Sequence, residues 1–233
     1  AGYVVGLMQS FMLLEHMEGK KVLLCTGETF CRGNKEKQEP PYYRAPFGGD
    51  AANITIVENA GNEKVYYEFH QDGSQRKCLV IPDGAFRNPM TVEQIQNQIV
   101  RMPLTGVVMD GSTVFNFAQK EVPILVDSLT KMAETTKEDI DWFLFHQPNK
   151  FMLQKLAERI GVPFEKMPMD IVEKFGNSNS ATIPTAITAD LKEEMLNKES
   201  LCCLAGFGAG VAWAGIIMKM GNMDFCDTII SDL

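Results

Sequence analysis

The sequence predicts an α/β fold, because segments with the pattern of a strand alternate with segments that have the pattern of a helix. The alternation is clear in two stretches of the 233-residue chain, residues 1–58 and residues 112–220. Several strand segments are continuous apolar runs, which are typical of strands buried on both faces, so we expect mostly parallel sheets. Residues 63–109 lie between the two stretches and indicate only short strands, loops and one short helix.

The first stretch opens with a helix. Apolar residues cover most of the circumference of "AGYVVGLMQSFMLLEHMEG", residues 1–19, which favours a buried helix over a surface one. The run "KVLLCTGE", residues 21–28, predicts a strand buried on both faces. A polar loop rich in proline, residues 32–46, separates it from "FGGDAANITIVEN", where a glycine turn leads into a second strand.

The second stretch opens with a long helical stripe, residues 112–136, in which Pro123 predicts a kink or a join between two helices. A regular alternation of strands and helices follows it. The alternation comprises strands at residues 141–146, 167–171, 200–205 and 211–220, and helices at residues 149–160 and 180–197.

Composition excludes several function classes. Hydrophobic residues make up 45% of the chain and charged residues 22%, as in soluble globular proteins, and the formal net charge of −8 disfavours binding to nucleic acid. The apolar run "VAWAGIIM" is too short to span a bilayer and the start shows no signal-peptide pattern, so we expect neither a membrane protein nor a secreted one. The six cysteines have no CxxC spacing and there are three histidines, so we expect no metal site and a cytoplasmic protein with reduced thiols.

Three loops at predicted strand ends carry polar residues and glycines: "FHQPN", "FGNSNSATIP" and "GFGAGVAW". Ligands of open α/β sheets bind at the carboxyl ends of the strands, so we expect these loops to converge. The imidazole of His146 and the carboxamide of Asn177 could then donate hydrogen bonds to one carbonyl oxygen and stabilise an enolate there. Taken singly, His146 fits a core histidine better than a catalytic one, and Asn177 fits an ordinary turn residue better than a catalytic one.

Six motifs, in one order, resemble a known family. "HQPNKFMLQKLAERIGV", "FGNSNSATIPTAI" and "GFGAGVAWAGIIMK" resemble the carboxyl-terminal half of β-ketoacyl-acyl-carrier-protein synthase III enzymes, which belong to the thiolase-like superfamily. "AGYVVGL" and "FGGDAANITIV" resemble parts of the amino-terminal half, and "MDGSTVFNFA" resembles the start of the second half's first long helix. The resemblance implies two similar α/β halves in an αβαβα layering, with residues 1–58 the remainder of an incomplete first half and residues 59–233 the second half.

The resemblance also implies a catalytic cysteine, histidine and asparagine. His146 and Asn177 match the family's histidine and asparagine, and the family pattern C-A-G-Y places the nucleophilic cysteine immediately before Ala1, outside these 233 residues. A helix N-terminus suits that cysteine because its free N–H groups and partial positive charge favour thiolate. We interpret the six cysteines present as packing residues, including Cys203, which is nearest the glycine loop, and we therefore expect these residues alone to be inactive.

In such enzymes the cysteine takes an acyl group from acyl-CoA, and malonyl-acyl carrier protein then loses carbon dioxide and is acylated to 3-oxoacyl-acyl carrier protein, in fatty acid or polyketide-type synthesis. By resemblance, the backbone N–H of Ala209 would bind the oxyanion, while Phe115 and Ser112 would contact the pantetheine arm. Phe115 is equally consistent with an ordinary core residue. The resemblance implies CoA or phosphopantetheine thioesters as substrates and no tightly bound cofactor.

The implied partners are a second copy of the chain in a homodimer, acyl carrier protein, and the missing N-terminal segment. Lys150 and Lys155 could meet the acidic carrier, although a solvated helix face is the simpler interpretation of these charges, especially since Phe151 and Glu158 stand where relatives have basic residues. Two alternatives stay open. The chain could be a non-catalytic partner subunit with a ketosynthase fold, or a related acyl-cysteine enzyme that makes an ester, an amide or a hydroxymethylglutaryl-type product.

Overall fold

The computed structural model describes residues 1–29, 48–59, 63–82, 86, 88–93, 96 and 108–231. It contains both helices and strands. In chain order they are α1 (Gly2–Leu14), β1 (Lys21–Thr29), β2 (Asp50–Glu58), β3 (Tyr66–Gln71), β4 (Leu79–Val80), β5 (Val108–Met109), α2 (Gly111–Met132), β6 (Trp142–Phe145), α3 (Lys150–Ile160), α4 (Ile171–Phe175), α5 (Thr182–Asp190), α6 (Lys192–Asn197), β7 (Glu199–Gly208) and β8 (Ala212–Gly221).

The first sheet is the antiparallel pair β1–β2, in which Lys21 lies opposite Glu58 and Thr29 opposite Asp50. Its side chains alternate between a face that packs on α1 and a face that is exposed. The exposed face is apolar: Leu23 is 59% and Ile54 is 62% exposed. The prediction that residues 21–28 form a strand buried on both faces is therefore wrong for the described residues. A continuous apolar run also occurs in a strand that packs one face on a helix and has an apolar but exposed outer face.

The second sheet has the strand order β3-β8-β7-β6. Only β6 and β7 run parallel, whereas β8 pairs antiparallel with both β7 and β3. The expectation of mostly parallel sheets is thus wrong in the described part of the chain. The physical reason is the short turn at residues 209–211, which joins β7 to β8 directly as a hairpin and leaves no room for a crossover helix.

Helices cover both faces of the second sheet, which confirms the predicted α/β, thiolase-like architecture. On one face α2 and α3 pack against it around Leu125, Leu129 and Leu153. On the other face α1 and α5 pack between it and the β1–β2 pair, around Tyr3 and Ile187. Four layers therefore follow one another: the β1–β2 pair, the inner helices, the second sheet and the outer helices. The boundary at residue 58 between two halves remains a prediction.

The structure of the second stretch differs from the predicted one at three places. Residues 167–171 form no strand; the 3-10 turn Phe164–Lys166 and an irregular segment lead instead to the short helix α4. Pro123 lies inside α2, which continues past it as one helix, so there is no join between two helices there. The helix predicted at residues 180–197 is divided at Leu191 into α5 and α6. No helix in the described ranges is both long and apolar enough to cross a membrane.

Candidate active site

His146 follows β6 directly, at the carboxyl end of the strand. Its backbone N–H donates to the carbonyl of Ala205 on β7 at 2.8 Å, so the sheet hydrogen bonding extends one residue beyond the strand. Its Nδ1 atom lies 2.8 Å from the hydroxyl oxygen of Thr182, and its ring meets the ring of Phe207 edge-on with a centroid distance of 5.5 Å. The ring is therefore fixed on one side, and its Nε2 atom has no hydrogen bond to a described residue.

Two side-chain amides make hydrogen bonds across the junction between β6 and α3. The buried Gln147 donates from Nε2 to the carbonyls of Phe145 and Pro168, each at 2.9 Å, and its backbone N–H donates to Thr182 at 3.2 Å. The Oδ1 atom of Asn149 accepts a hydrogen bond from the backbone N–H of Met152 at 2.8 Å, which caps α3. The motif "HQPN" is thus a capped strand-to-helix turn that holds His146 at its start.

Asn177 lies in a tight crossing of two backbone segments. Its carbonyl accepts a hydrogen bond from the backbone N–H of Gly49 at 3.1 Å, and Gly176 before it has φ 70° and ψ 177°, a conformation open essentially to glycine only. Its Oδ1 atom accepts from the backbone N–H of Asn179 at 2.9 Å. The Nδ2 group has no acceptor among the described residues, so it is available to a ligand.

The start of α1 lies between the loops of His146 and Asn177. A Cβ atom placed on Gly206 would lie 2.9 Å from Cα of Ala1, and one placed on Gly2 would lie 3.3 Å from Cβ of Ser180. No side chain caps the first turn of α1. The structure therefore brings His146, the Asn177 turn, the strand β7 and the free N–H groups of a helix N-terminus together.

Burial keeps the imidazole of this region neutral. It lowers the pKa of His146 to about 3, because a charged ring would lose its hydration there. His146 is thus a neutral imidazole near pH 7 and can act as a hydrogen-bond donor without carrying charge.

We expect the free energy of unfolding to decrease when the pH is lowered from about 6.5 towards 3. An unfolded histidine binds a proton in this range and folded His146 does not, so each pH unit costs up to about 1.4 kcal/mol. Urea unfolding at a series of pH values would measure the slope. The variant His146→Gln has no titrating ring and should lose this part of the slope; equal slopes in both proteins would contradict the assignment.

The other predicted site residues occupy different positions. Ala209 lies exposed in the turn between β7 and β8, two residues after Phe207. Phe115 is half-buried on α2, where its ring stacks on Phe151 with centroids 5.9 Å apart, and Phe151 is 60% exposed. Ser112 is exposed at the start of α2, and its hydroxyl donates to Asp110 at 2.7 Å as part of the helix cap. Roles in substrate binding for these residues remain predictions.

The cysteines do not supply a nucleophile at this site. Cys202 and Cys203 are fully buried in β7, and burial raises the pKa of the Cys202 thiol to about 12 and that of Cys203 further still. Cys78 and Cys226 are also buried. Cys25 is exposed on the outer face of β1, so among the described residues it does not have the packing role that we predicted. Cys31 lies outside the described residues, among which no cluster of potential metal ligands occurs.

The two lysines considered for carrier binding are paired with acidic side chains. Lys150 lies 2.7 Å from Asp170, and Lys155 lies 2.7 Å from Glu158, one helical turn further along α3. These pairs fit the simpler interpretation of a solvated helix face, because each neutralises the charge that an acidic partner would meet.

Sequence reasoning missed three residues that hold the site: Thr182, Asn179 and Glu28. Thr182 bridges His146 and the backbone carbonyl of Asn179, at 2.9 Å from the latter. Asn179 has a positive φ of 48°, which asparagine tolerates better than most residues. Asparagine two residues after the "GN" turn was a usable signal, whereas the contact of Glu28 with Asn179 spans 151 positions and has no local signature.

Comparisons with known proteins agree with this geometry. The family model described as 3-oxoacyl-[acyl-carrier-protein] synthase III C terminal matches residues 130–220. A crystal structure of a 3-oxoacyl-(acyl-carrier protein) synthase from Burkholderia xenovorans superposes with a TM-score of 0.83 and 31% identity over 99% of the chain. The chain is a relative of the β-ketoacyl-[acyl-carrier-protein] synthase III proteins. His146, Asn177 and the β7–β8 turn all lie within the matched range.

The synthase III relatives are longer than this chain. A β-ketoacyl-[acyl-carrier-protein] synthase III from Synechocystis is 29% identical over 94% of the chain, and the alignment covers 64% of that protein. The Burkholderia structure is likewise covered to 64%. A synthase III structure from Thermus thermophilus, at 24% identity and a TM-score of 0.76, supports the fold alone and is covered to 66%. The chain therefore spans about two thirds of the length of these synthase III proteins.

Proposed function

We propose that the complete polypeptide containing these residues is an acyltransferase that condenses an acyl-CoA with malonyl-acyl carrier protein and releases carbon dioxide. One observation carries the proposal: the buried start of α1 lies beside neutral His146, and Nε2 of His146 and Nδ2 of Asn177 have no hydrogen bond to a described residue. Relatives named β-ketoacyl-[acyl-carrier-protein] synthase III support the same reaction class. The reaction belongs to fatty acid synthesis or a similar chain-building process.

The nucleophile of the proposal is a cysteine in the position before Ala1. Since Ala1 packs on Gly206 and its backbone nitrogen lies near the ring of His146, the preceding residue would lie next to the imidazole. The first N–H groups of α1 have no side-chain cap, so they would stabilise a thiolate and later the oxyanion of its acylation. The thiolate attacks the acyl carbon of acyl-CoA, the bond from carbon to CoA sulfur breaks, and CoA leaves.

In the second half-reaction His146 and Asn177 act on the malonyl thioester. The bond between its C2 atom and its carboxylate breaks, carbon dioxide leaves, and the electron pair moves towards the thioester oxygen to give an enolate. Nε2–H of His146 and Nδ2–H of Asn177 donate to that oxygen, and the N–H of Ala209 serves the oxyanion at the acyl carbon. The enolate carbon then attacks the acyl-cysteine, and the thiolate is released. Phe115 and Ser112 would guide the pantetheine arm.

Partners follow from the same proposal. Because Lys150 and Lys155 are already paired, we assign the contact with acidic carrier protein to other cations. The exposed apolar face of β1–β2 needs a cover, and the third of the relatives' length that the chain does not span is its proposed source. We further propose a homodimer located in the cytoplasm, with thioester substrates and no tightly bound cofactor.

The deciding experiment follows a labelled acyl group. The complete polypeptide is incubated with radiolabelled acyl-CoA esters of several lengths, and then with malonyl-acyl carrier protein. We expect label on the protein, sensitive to thiol alkylation, followed by label in 3-oxoacyl-acyl carrier protein. A protein that never becomes labelled would be a non-catalytic partner subunit, and a protein that is labelled but passes the acyl group to an alcohol, an amine or acetoacetyl-CoA would belong to a related reaction class.

A further inference from the structure

Glu28 is linked to the candidate active site by a chain of hydrogen bonds. It lies near the end of β1, where its Oε1 atom accepts from the backbone N–H of Thr29 at 3.1 Å and its Oε2 atom accepts from Nδ2 of Asn179 at 2.9 Å. Both carboxylate oxygens are thus oriented. The bond joins the β1–β2 pair to the loop that carries Asn177.

Asn179 is linked to both proposed donors, to Asn177 directly and to His146 through Thr182. Its backbone N–H donates to Oδ1 of Asn177 at 2.9 Å, which restrains the carboxamide and leaves Nδ2 without an acceptor among the described residues. Its backbone carbonyl oxygen lies 2.9 Å from the hydroxyl oxygen of Thr182, which in turn lies 2.8 Å from Nδ1 of His146. Asn179 therefore orients the carboxamide of Asn177 and the hydroxyl of Thr182 beside His146.

The contact with Thr182 bears on the tautomer of His146. The hydroxyl has a single proton, which it donates either to the Asn179 carbonyl or to Nδ1 of the ring. When the proton goes to the carbonyl, Nδ1–H must donate to the hydroxyl oxygen, and Nε2 is a bare acceptor. When it goes to Nδ1, the ring proton resides on Nε2, which can then donate to a substrate oxygen. Small movements of Asn179 relative to Thr182 shift the balance between these states.

Asn179 has a φ of 48°, a conformation that asparagine adopts as a single residue and that a further contact helps to hold. The hydrogen bond to the carboxylate of Glu28 is such a contact, since a charged acceptor makes a stronger bond than a neutral one. We propose that Glu28, acting through Asn179, is a positioning residue. It aligns the carboxamide of Asn177 and determines which ring nitrogen of His146 carries the proton. The inference rests on the proposed function. It names a residue of the first sheet that positions the two hydrogen-bond donors His146 and Asn177.

The test compares Glu28→Ala, Glu28→Gln and Asn179→Gly in the complete polypeptide. Release of carbon dioxide from malonyl-CoA should fall about tenfold or more in Glu28→Ala, because small misplacements of catalytic groups can cost up to about a hundredfold. The loss should be in kcat rather than KM. Glu28→Gln keeps an acceptor oxygen and should recover most of the activity. Asn179→Gly allows the same φ but lacks the side chain that donates to Glu28, and should match Glu28→Ala.

A double-mutant cycle separates positioning from general stabilisation. If Glu28 acts through Asn179, the double variant should be no slower than either single variant. The matched control is Glu58→Ala at the other end of the same strand pair, which removes an exposed ion pair with Lys21 and should leave carbon dioxide release unchanged. Additive effects, or equal losses in Glu28→Ala and Glu58→Ala, would overturn the inference.

A spectroscopic measurement keeps the inference distinct from the proposed function. The ¹⁵N shifts of the His146 ring report which nitrogen carries the proton, and they should change in Glu28→Ala but not in Glu58→Ala. If the unsubstituted protein releases no carbon dioxide while these shifts change, the proposed function fails and the positioning role stands. If the shifts are the same in all variants, the positioning role is refuted whatever the activity.

Discussion

Asn177→Asp should lower the release of carbon dioxide from a malonyl thioester by about 10²–10³-fold, the usual cost of removing one donor from an oxyanion site. The substitution is nearly isosteric, and the new carboxylate can still accept the hydrogen bond from the N–H of Asn179 that holds the loop. What changes is the free Nδ2 donor, which is replaced by an acceptor that repels the developing enolate. Acylation by acyl-CoA, which does not use this donor, should be much less affected.

The control for this substitution is Asn222→Asp. Asn222 also has a positive φ, 49°, but it is exposed in the turn after β8, so its substitution should leave carbon dioxide release unchanged. Scintillation counting of carbon dioxide from malonyl-CoA labelled in its free carboxylate measures both variants directly. If Asn177→Asp retained activity within about twofold, the carboxamide would not be the donor, and the role given to His146 beside it would need a different partner.

The two donors could be predicted from the sequence because each lies in a local motif with a clear turn or helix-capping signal. "HQPN" places His146 between a buried strand and the cap of a helix, and "GN" places Asn177 in a turn, so the chain itself marks both positions. The residues that orient them could not be predicted in this way. Glu28 meets Asn179 only after folding brings positions 151 residues apart together, and its own surroundings in "TGETF" resemble any strand end.

The same distinction applies to the fold. Alternation of strands and helices correctly indicated an α/β protein, because the periods of apolar residues are local. The direction of strands was misjudged, because a continuous apolar run has two origins: a strand covered on both faces, as in β7, or a strand such as β1 whose outer face is apolar and exposed. Leu23 and Ile54 are residue types typical of a core, yet their side chains are exposed. For this reason the proposed function includes a further part of the protein that covers them.

The second large effect is expected at the backbone crossing next to Asn177. Gly176 has φ 70° and ψ 177°, and a Cβ atom there would lie 2.3 Å from the carbonyl oxygen of Gly48. Gly49 is equally close to the other segment, since its Cβ atom would lie 2.0 Å from the carbonyl oxygen of Phe175. These contacts allow the loop at residues 48–49 to bind the carbonyl of Asn177 directly, so a methyl group at Gly176 must separate the two segments.

Gly176→Ala should therefore destabilise the protein by at least ~3 kcal/mol, from the strained backbone and the steric clash together. Gly161→Ala is the matched comparison: Gly161 ends α3 with φ 82°, but a Cβ atom there meets nothing within 4 Å, so it should cost only ~1–2 kcal/mol. Urea unfolding measures both. In folded Gly176→Ala protein, carbon dioxide release should also fall, since Asn177 moves with its neighbour. Equal costs at the two glycines would mean that the segments separate freely and that their close approach does not hold Asn177 in place.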